Sequence, residues 1–149
     1  MSTIVTFVAF SDVTARLIQQ TERFAKALEA QVVLVHLVPP EPLMMEMGIA
    51  SAMSSQEHRQ ELIDADYRRL SALVDSLNRA GVQAQAEQLA DADSDRAMEP
   101  CEQWKADLII VGSHHHSAIY NAFVGSFRDK LLRASRCPVL VVPAIPVQS

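Results

Sequence analysis

Gly112 and the pair Gly125-Ser126 are the residues whose types and spacing suggest chemistry in this chain. Glycine lets a ligand approach backbone closely. The first N–H groups of a helix have no partner within the helix and point outward. The two devices together bind anions, phosphate above all. Gly112 ends the apolar run Leu108-Ile109-Ile110-Val111, and Gly125-Ser126 opens an amphipathic run in which the serine hydroxyl adds a donor. They read as two walls of one anion site, although glycines at strand ends and helix starts also serve plain turn chemistry. The nearby cations are Arg128 and Lys130. Neither GxxxxGK[ST] nor GxGxxG is present, so strong phosphate hydrolysis is not indicated.

Between the two walls lies His114-His115-His116. Neutral imidazoles are common zinc ligands. Three in a row on a loop cannot converge on one ion unless the backbone folds back, and no Cys, Asp or Glu shares the loop. A metal site at His114 to His116 is therefore the weakest reading. His36 ends another apolar run at the same edge of the sheet; a structural role and a place near a ligand are both open. No GxSxG elbow occurs. Cys101 falls on a helical stretch and Cys137 enters a strand; without CxxC spacing both read as packing residues.

These residues need a scaffold of alternating strands and helices, because ligands of open α/β sheets bind beyond the carboxyl ends of the strands. Ile4 to Phe10 is apolar apart from Thr6, the mark of a strand buried on both faces. Ser11 or Asp12 caps a helix to about Ala30, with Val13, Leu17, Phe24 and Leu28 near helical spacing. Gln31 to Val38 is a second buried strand, stopped by Pro39-Pro40. Glu41 to Ser54 is a connection rich in methionine (Met44, Met45, Met47, Met53), either packing on its own domain or serving as a lid or partner surface. Ser54 and Glu57 make a capping box for a long helix carrying Leu62, Leu70, Leu73 and Leu77 to Ala80, with Gly81 as its stop. Val82 to Leu89 alternates as a more exposed strand. An acidic turn, Asp91 to Asp95, leads into a helix to about Trp104, which Pro100 kinks or begins. Asp107 to Val111 is the fourth strand. Gly125 to Ala134 is helical with Phe127, Leu131 and Leu132 apolar, and Val139 to Val142 is the fifth strand. This alternation predicts a parallel, doubly wound sheet with right-handed crossovers.

Composition narrows the function. The chain has 149 residues, enough for one domain over 1–149. It is 49% hydrophobic, so a full core is within reach. Its net charge of −5 without a basic block argues against nucleic acid or an anionic membrane as partner. No apolar run approaches the roughly 20 residues of a membrane span. Met1-Ser2-Thr3 enters a strand pattern directly, without a secretory signal pattern, so a reducing cytoplasm is the expected compartment.

Two groups of residues carry a family likeness: Asp107-Leu108-Ile109-Ile110-Val111-Gly112-Ser113-His114, Gly125-Ser126, and Cys137-Pro138-Val139-Leu140-Val141-Val142-Pro143; and, at the front, Val8 to Arg16 with Val33 to Pro39. Across essentially the whole chain this resembles the universal stress protein family. The resemblance implies an α/β fold: an open five-stranded parallel sheet in order 3-2-1-4-5 with helices on both faces, an adenine-nucleotide α-hydrolase-like sandwich. It implies a homodimer, often through the last strand; an apolar edge such as Val139 to Val142 must be paired or covered in any case. One branch of the family binds ATP through G-x2-G-x9-G-[S/T]. Its loop amides hold the phosphates, an Asp ending strand one contacts the ribose, and backbone after strand two meets the adenine. Carried over, Gly112 fits the first glycine, His115 stands at the second, and Gly125 and Ser126 fit the third glycine and hydroxyl. Ala9 falls where the family has its Asp, with Asp12 nearby, and Leu37 and Val38 fit the adenine side.

The resemblance therefore assigns nucleotide contacts to Ala9, Phe10, Ser11, Asp12, Leu37, Val38, Gly112, Ser113, His114, His115, Gly125, Ser126 and Phe127. The cofactor expected is ATP or another adenine nucleotide, with magnesium accompanying it. The role expected is a stress-response sensor or regulator, not a fast enzyme, with at most slow ATP hydrolysis. The competing reading is a nucleotide-free dimer acting through protein contacts.

Overall fold

Five parallel strands form one sheet in the order β3-β2-β1-β4-β5. The computed structural model of the protein describes residues 1–38, 56–90, 93, 95–113 and 127–143. The elements in chain order are β1 (Thr3–Phe7), α1 (Thr14–Leu28), β2 (Gln31–Val38), α2 (Gln56–Arg79), β3 (Ala84–Ala90), α3 (Glu99–Gln103), β4 (Leu108–Ser113), α4 (127–134) and β5 (Val139–Pro143). A short 3-10 turn, Arg96–Met98, precedes α3. The order 3-2-1-4-5 is the one the family resemblance implies. The Met-rich stretch 41–54 and the Ser54 side of the capping box lie outside the described residues.

Strand alternation sorts the core into two layers. Ile4, Val32, Leu34 and Ile110 face α1 and α2, where Leu17, Leu70 and Leu77 meet them. Val5, Val33, Val35, Ile109 and Val111 face α3 and α4, packing with Cys101, Phe127 and Leu131. Each such side chain, removed from water, contributes about 1.5–3 kcal/mol. Thr6, the polar exception in β1, is fully buried but satisfied. Thr21 Oγ1 donates to the Leu17 carbonyl at 2.8 Å, so Thr6 Oγ1 donates to Thr21 Oγ1 at 3.1 Å.

Several element boundaries differ from the expected ones for local reasons. The β1 ladder runs to Phe7 with one further bond from Val8 N–H, and the apolar run then leaves the sheet in the turn where Phe10 is left-handed. Pro100 sits in the first turn of α3, where its missing N–H leaves no bond unmade. Two leucines of the apolar patterns face water: Leu28 is 48% exposed and Leu132 64%. Leu132 follows the fully buried Leu131, and adjacent helical positions cannot share a face.

Helix α1 ends on Glu29, held left-handed at φ 51°, while Ala30 N–H reaches back to the Ala25 carbonyl at 2.9 Å. Glycine occupies this conformation without the ~1–2 kcal/mol penalty of a Cβ but loses more backbone entropy on folding. The first effect is the larger. Glu29→Gly is expected to raise stability by about 0.5 kcal/mol, seen as a higher urea midpoint; a lower midpoint would refute the strain assignment.

Candidate functional site

The chain runs outward from β1 to β2 and β3, then crosses back to β4 and β5. Strand order thus reverses between β1 and β4, and the crevice at their carboxyl ends is where such sheets bind ligands. Past Phe7, the Val8 N–H still donates to Val35 O at 2.8 Å. Phe10 then takes a left-handed conformation, φ 48°. In a bulky residue this costs about 1–2 kcal/mol, and such outliers gather at functional sites. Ser11 closes the turn: its N–H donates to Thr14 Oγ1 at 2.8 Å, and Val13 N–H donates to Ser11 Oγ at 3.3 Å. Neither expected cap is one: the N-cap position of α1 falls on Val13 without a side-chain cap bond, Ser11 braces the turn before it, and Asp12 is exposed.

The Phe10 ring lies between two partners from the β2 side. The His36 ring is 4.8 Å away by centroids and tilted 59°. The Arg69 guanidinium of α2 lies 4.3 Å from the Phe10 centroid and 3.3 Å from Asp66 Oδ1. Arginine stacks well on aromatic faces because its planar charge is weakly hydrated. His36 is buried and carries a lowered pKa of about 4. Burial is the largest cause, Asp66 pulls the other way, and Arg69 lowers it further. The hydrogen bonds agree. Gln88 Nε2 donates to the Ile63 carbonyl at 3.1 Å, which fixes the amide, and meets His36 Nδ1 at 3.2 Å. Nδ1 therefore accepts, and the proton of neutral His36 sits on Nε2.

Gly112 and Ser113 end β4, paired with Val142 and Pro143 of β5. A Cβ on Gly112 would lie 2.8 Å from Val13 Cγ1. The glycine thus lets the start of α1 close against β4, a packing reason that the spacing alone does not reveal. On the opposite face, the Phe127 ring meets Phe7 edge-on at 4.8 Å and 72°. That contact pins the start of α4 beside the end of β1. Lys130 is paired with Asp95. Arg128 Nε is buried and has no hydrogen-bond partner among the described residues.

The fold thus gathers Ala9, Phe10, Ser11, Asp12, Gly112, Ser113 and Phe127 at one sheet edge, with Leu37 and Val38 ending the neighbouring strand. Val38 is buried against Ile63, so only its backbone is available to a ligand. His114, His115, Gly125 and Ser126 lie outside the described residues, as does the His114 to His116 run. Among the described residues no group of three His, Cys, Asp or Glu is placed to hold a metal. Arg69 escaped the sequence reading, because a cation on the polar face of a long helix carries no local mark of its partner.

A model of the universal stress protein family matches residues 1–143. The chain belongs to the universal stress protein family. Universal stress protein MJ0531 of Methanocaldococcus jannaschii is 25% identical over 132 residues, covering 89% of this chain and 76% of that protein. Universal stress protein YxiE of Bacillus subtilis is 24% identical over 137 residues, covering 89% and 92%. Among solved structures, that of protein MJ0577 superposes with a TM-score of 0.75 at 18% identity, covering 98% of both chains. This universal stress protein thus shares its fold with relatives far apart in sequence. Among its described residues no helix is long and apolar enough to cross a membrane.

Proposed function

We propose that this universal stress protein binds an adenine nucleotide in the crevice of β1, β2 and β4 and acts as a stress-response sensor or regulator. One observation carries the reading. Near the start of α4, Arg128 keeps a buried Nε without a hydrogen-bond partner among the described residues, while Lys130 is paired with Asp95. A buried donor left without a partner costs about 1–3 kcal/mol, and a ligand phosphate would satisfy it. Three relatives of the same fold support the choice of nucleotide: one is in complex with cAMP, one from Archaeoglobus fulgidus with dAMP, and one from Arabidopsis thaliana has AMP bound. ATP with magnesium is the ligand we assign first, with His115, Gly125 and Ser126 on the phosphates and Ala9 to Asp12 by the ribose.

The test is a thermal-shift titration with ATP and magnesium beside AMP and adenosine, since a ligand bound to the native state raises its melting temperature. No shift at millimolar nucleotide would overturn the proposal. Arg128→Ala is expected to weaken ATP and AMP by roughly tenfold, about 1.4 kcal/mol, and to leave adenosine unchanged. Equal loss for adenosine would show that Arg128 is not on the phosphate.

A second reading rests on exposed apolar groups. Val141 on edge strand β5 is 41% exposed and Leu132 on α4 is 64% exposed. We assign this edge to a homodimer through Val139 to Val142, because a bare edge strand pairs readily. We place the protein in the cytoplasm, where its two free thiols stay reduced.

A further inference from the structure

At the amino edge of β4 and β5, away from the nucleotide crevice, lies a cavity of about 520 Å³. Met98, Cys101 and Ile109 line its apolar side; Glu102, Lys105, Arg136 and Cys137 are among the residues that line the rest. The chain's two cysteines, far apart in sequence, thus face one space and join one core cluster. Nothing in the nucleotide site uses them.

Their surroundings differ. Cys137 is half-buried, and its Sγ lies 3.5 Å from Ser135 Oγ. The Ser135 hydroxyl donates to the Cys137 carbonyl at 2.8 Å while Cys137 N–H donates to Ser135 Oγ at 3.2 Å, so the serine is fixed against the sulfur. Cys137 is thus the more accessible of the two sulfurs on a cavity that Lys105, Arg136 and Glu102 also line. Cys101 is buried, and burial pushes its thiol up to about 12, with the charges of Cys137 and Glu102 adding to the effect. A charge on one sulfur is therefore felt at the other.

We propose that Cys101 and Cys137 form a reversible disulfide when the chain meets a hydroperoxide, which makes this cavity a redox-sensing site. The Cys137 thiolate attacks the outer peroxide oxygen, the O–O bond breaks, and the departing alkoxide or hydroxide takes up a proton. Cys137 is left as a sulfenic acid. The Cys101 sulfur then attacks the Cys137 sulfur, the S–O bond breaks, and the Cys101 proton leaves with the hydroxide as water. The two electrons lost by the thiol pair reduce the peroxide. Cys101, a poor thiolate, makes the second step the slow one, and a dithiol reductant reverses the change. In a reducing cytoplasm disulfides are transient and sensory, so the proposal fits that compartment.

The experiment treats the full-length protein with hydrogen peroxide and weighs it intact. The expected result is a monomer lighter by two hydrogen atoms, both thiols closed to alkylation, a cross-linked pair of peptides containing Cys101 and Cys137, and full reversal by dithiothreitol. Cys101→Ser is expected to stop at the sulfenic acid, gaining one oxygen and trapping dimedone. Cys137→Ser is expected to stay unmodified at the same peroxide dose. Thiols still open to alkylation in the wild-type protein, oxygen gain without hydrogen loss, or a disulfide between two chains would each overturn the proposal. The wild-type measurement needs no variant to fold, and no nucleotide takes part, so its outcome is independent of the nucleotide proposal.

Discussion

Gly112→Ala is expected to destabilise the protein by about 1 kcal/mol, and Gly112→Val by more. Two effects oppose each other at this position. Alanine in place of glycine in a strand gains about 0.5–1 kcal/mol from the unfolded chain's lost freedom. Against that, the added Cβ would stand 2.8 Å from Val13 Cγ1. Val13 is only 3% exposed and β-branched, so it has little room and few rotamers with which to yield. Overpacking of this kind costs about 1–3 kcal/mol, so the clash wins. Val13→Ala in the same chain opens the space. The double variant is expected to be more stable than the sum of the single losses by about 1 kcal/mol or more, measured by urea unfolding. Strict additivity would show that Val13 is not what excludes a side chain at position 112. The pair also separates two roles of one glycine. If Gly112 serves α1 first, nucleotide binding lost in Gly112→Ala returns with Val13→Ala; if a phosphate needs the bare backbone, it does not.

The case of Gly112 shows where the sequence is legible and where it is not. The strand β2 occupies Gln31–Val38, the span its continuous apolar run announces, because a central parallel strand is covered on both faces. The fold class follows from that kind of local regularity, repeated along the chain. Leu28 and Leu132 face water although both belong to apolar patterns, because an apolar type does not by itself reveal its face. The site is less legible, since its determinants join distant positions. Val13 against Gly112, Phe10 under Arg69, His36 against Gln88 and Phe7 against Phe127 are each pairs that only the folded sheet brings together. The glycine spacing does mark the β4 end of the crevice. It cannot distinguish a glycine needed for a phosphate from one needed for a helix, and it ranks Arg128 and Lys130 equally although Asp95 occupies only one of them.

Acid is expected to weaken the protein through His36 by roughly 3 kcal/mol between neutral pH and pH 4. The folded pKa is lowered from 6.5 to about 4, so the folded protein holds this proton more weakly than the unfolded chain does. Stability from this residue is therefore full above about pH 6.5 and falls as pH drops toward 4. The fall between these two values is about 1.4 kcal/mol for each pH unit crossed, and below pH 4 it levels off. The physical obstacle is local. A protonated ring would turn Nδ1 into a donor facing the Gln88 NH₂, and that amide cannot flip without setting its oxygen against the Ile63 carbonyl. Asp66 softens the effect and Arg69 sharpens it. In His36→Gln the side chain stays neutral at every pH and its amide oxygen can accept from Gln88. At pH 7 the variant is expected to lose about 1 kcal/mol of packing against Phe10. As the pH falls to 4, that deficit should shrink and then reverse, because only the wild-type protein must take up or exclude a proton here. Urea unfolding of both proteins across this range measures the difference, in which other groups cancel. A deficit that stays constant from pH 7 to pH 4 would show that His36 titrates alike in the folded and unfolded chain.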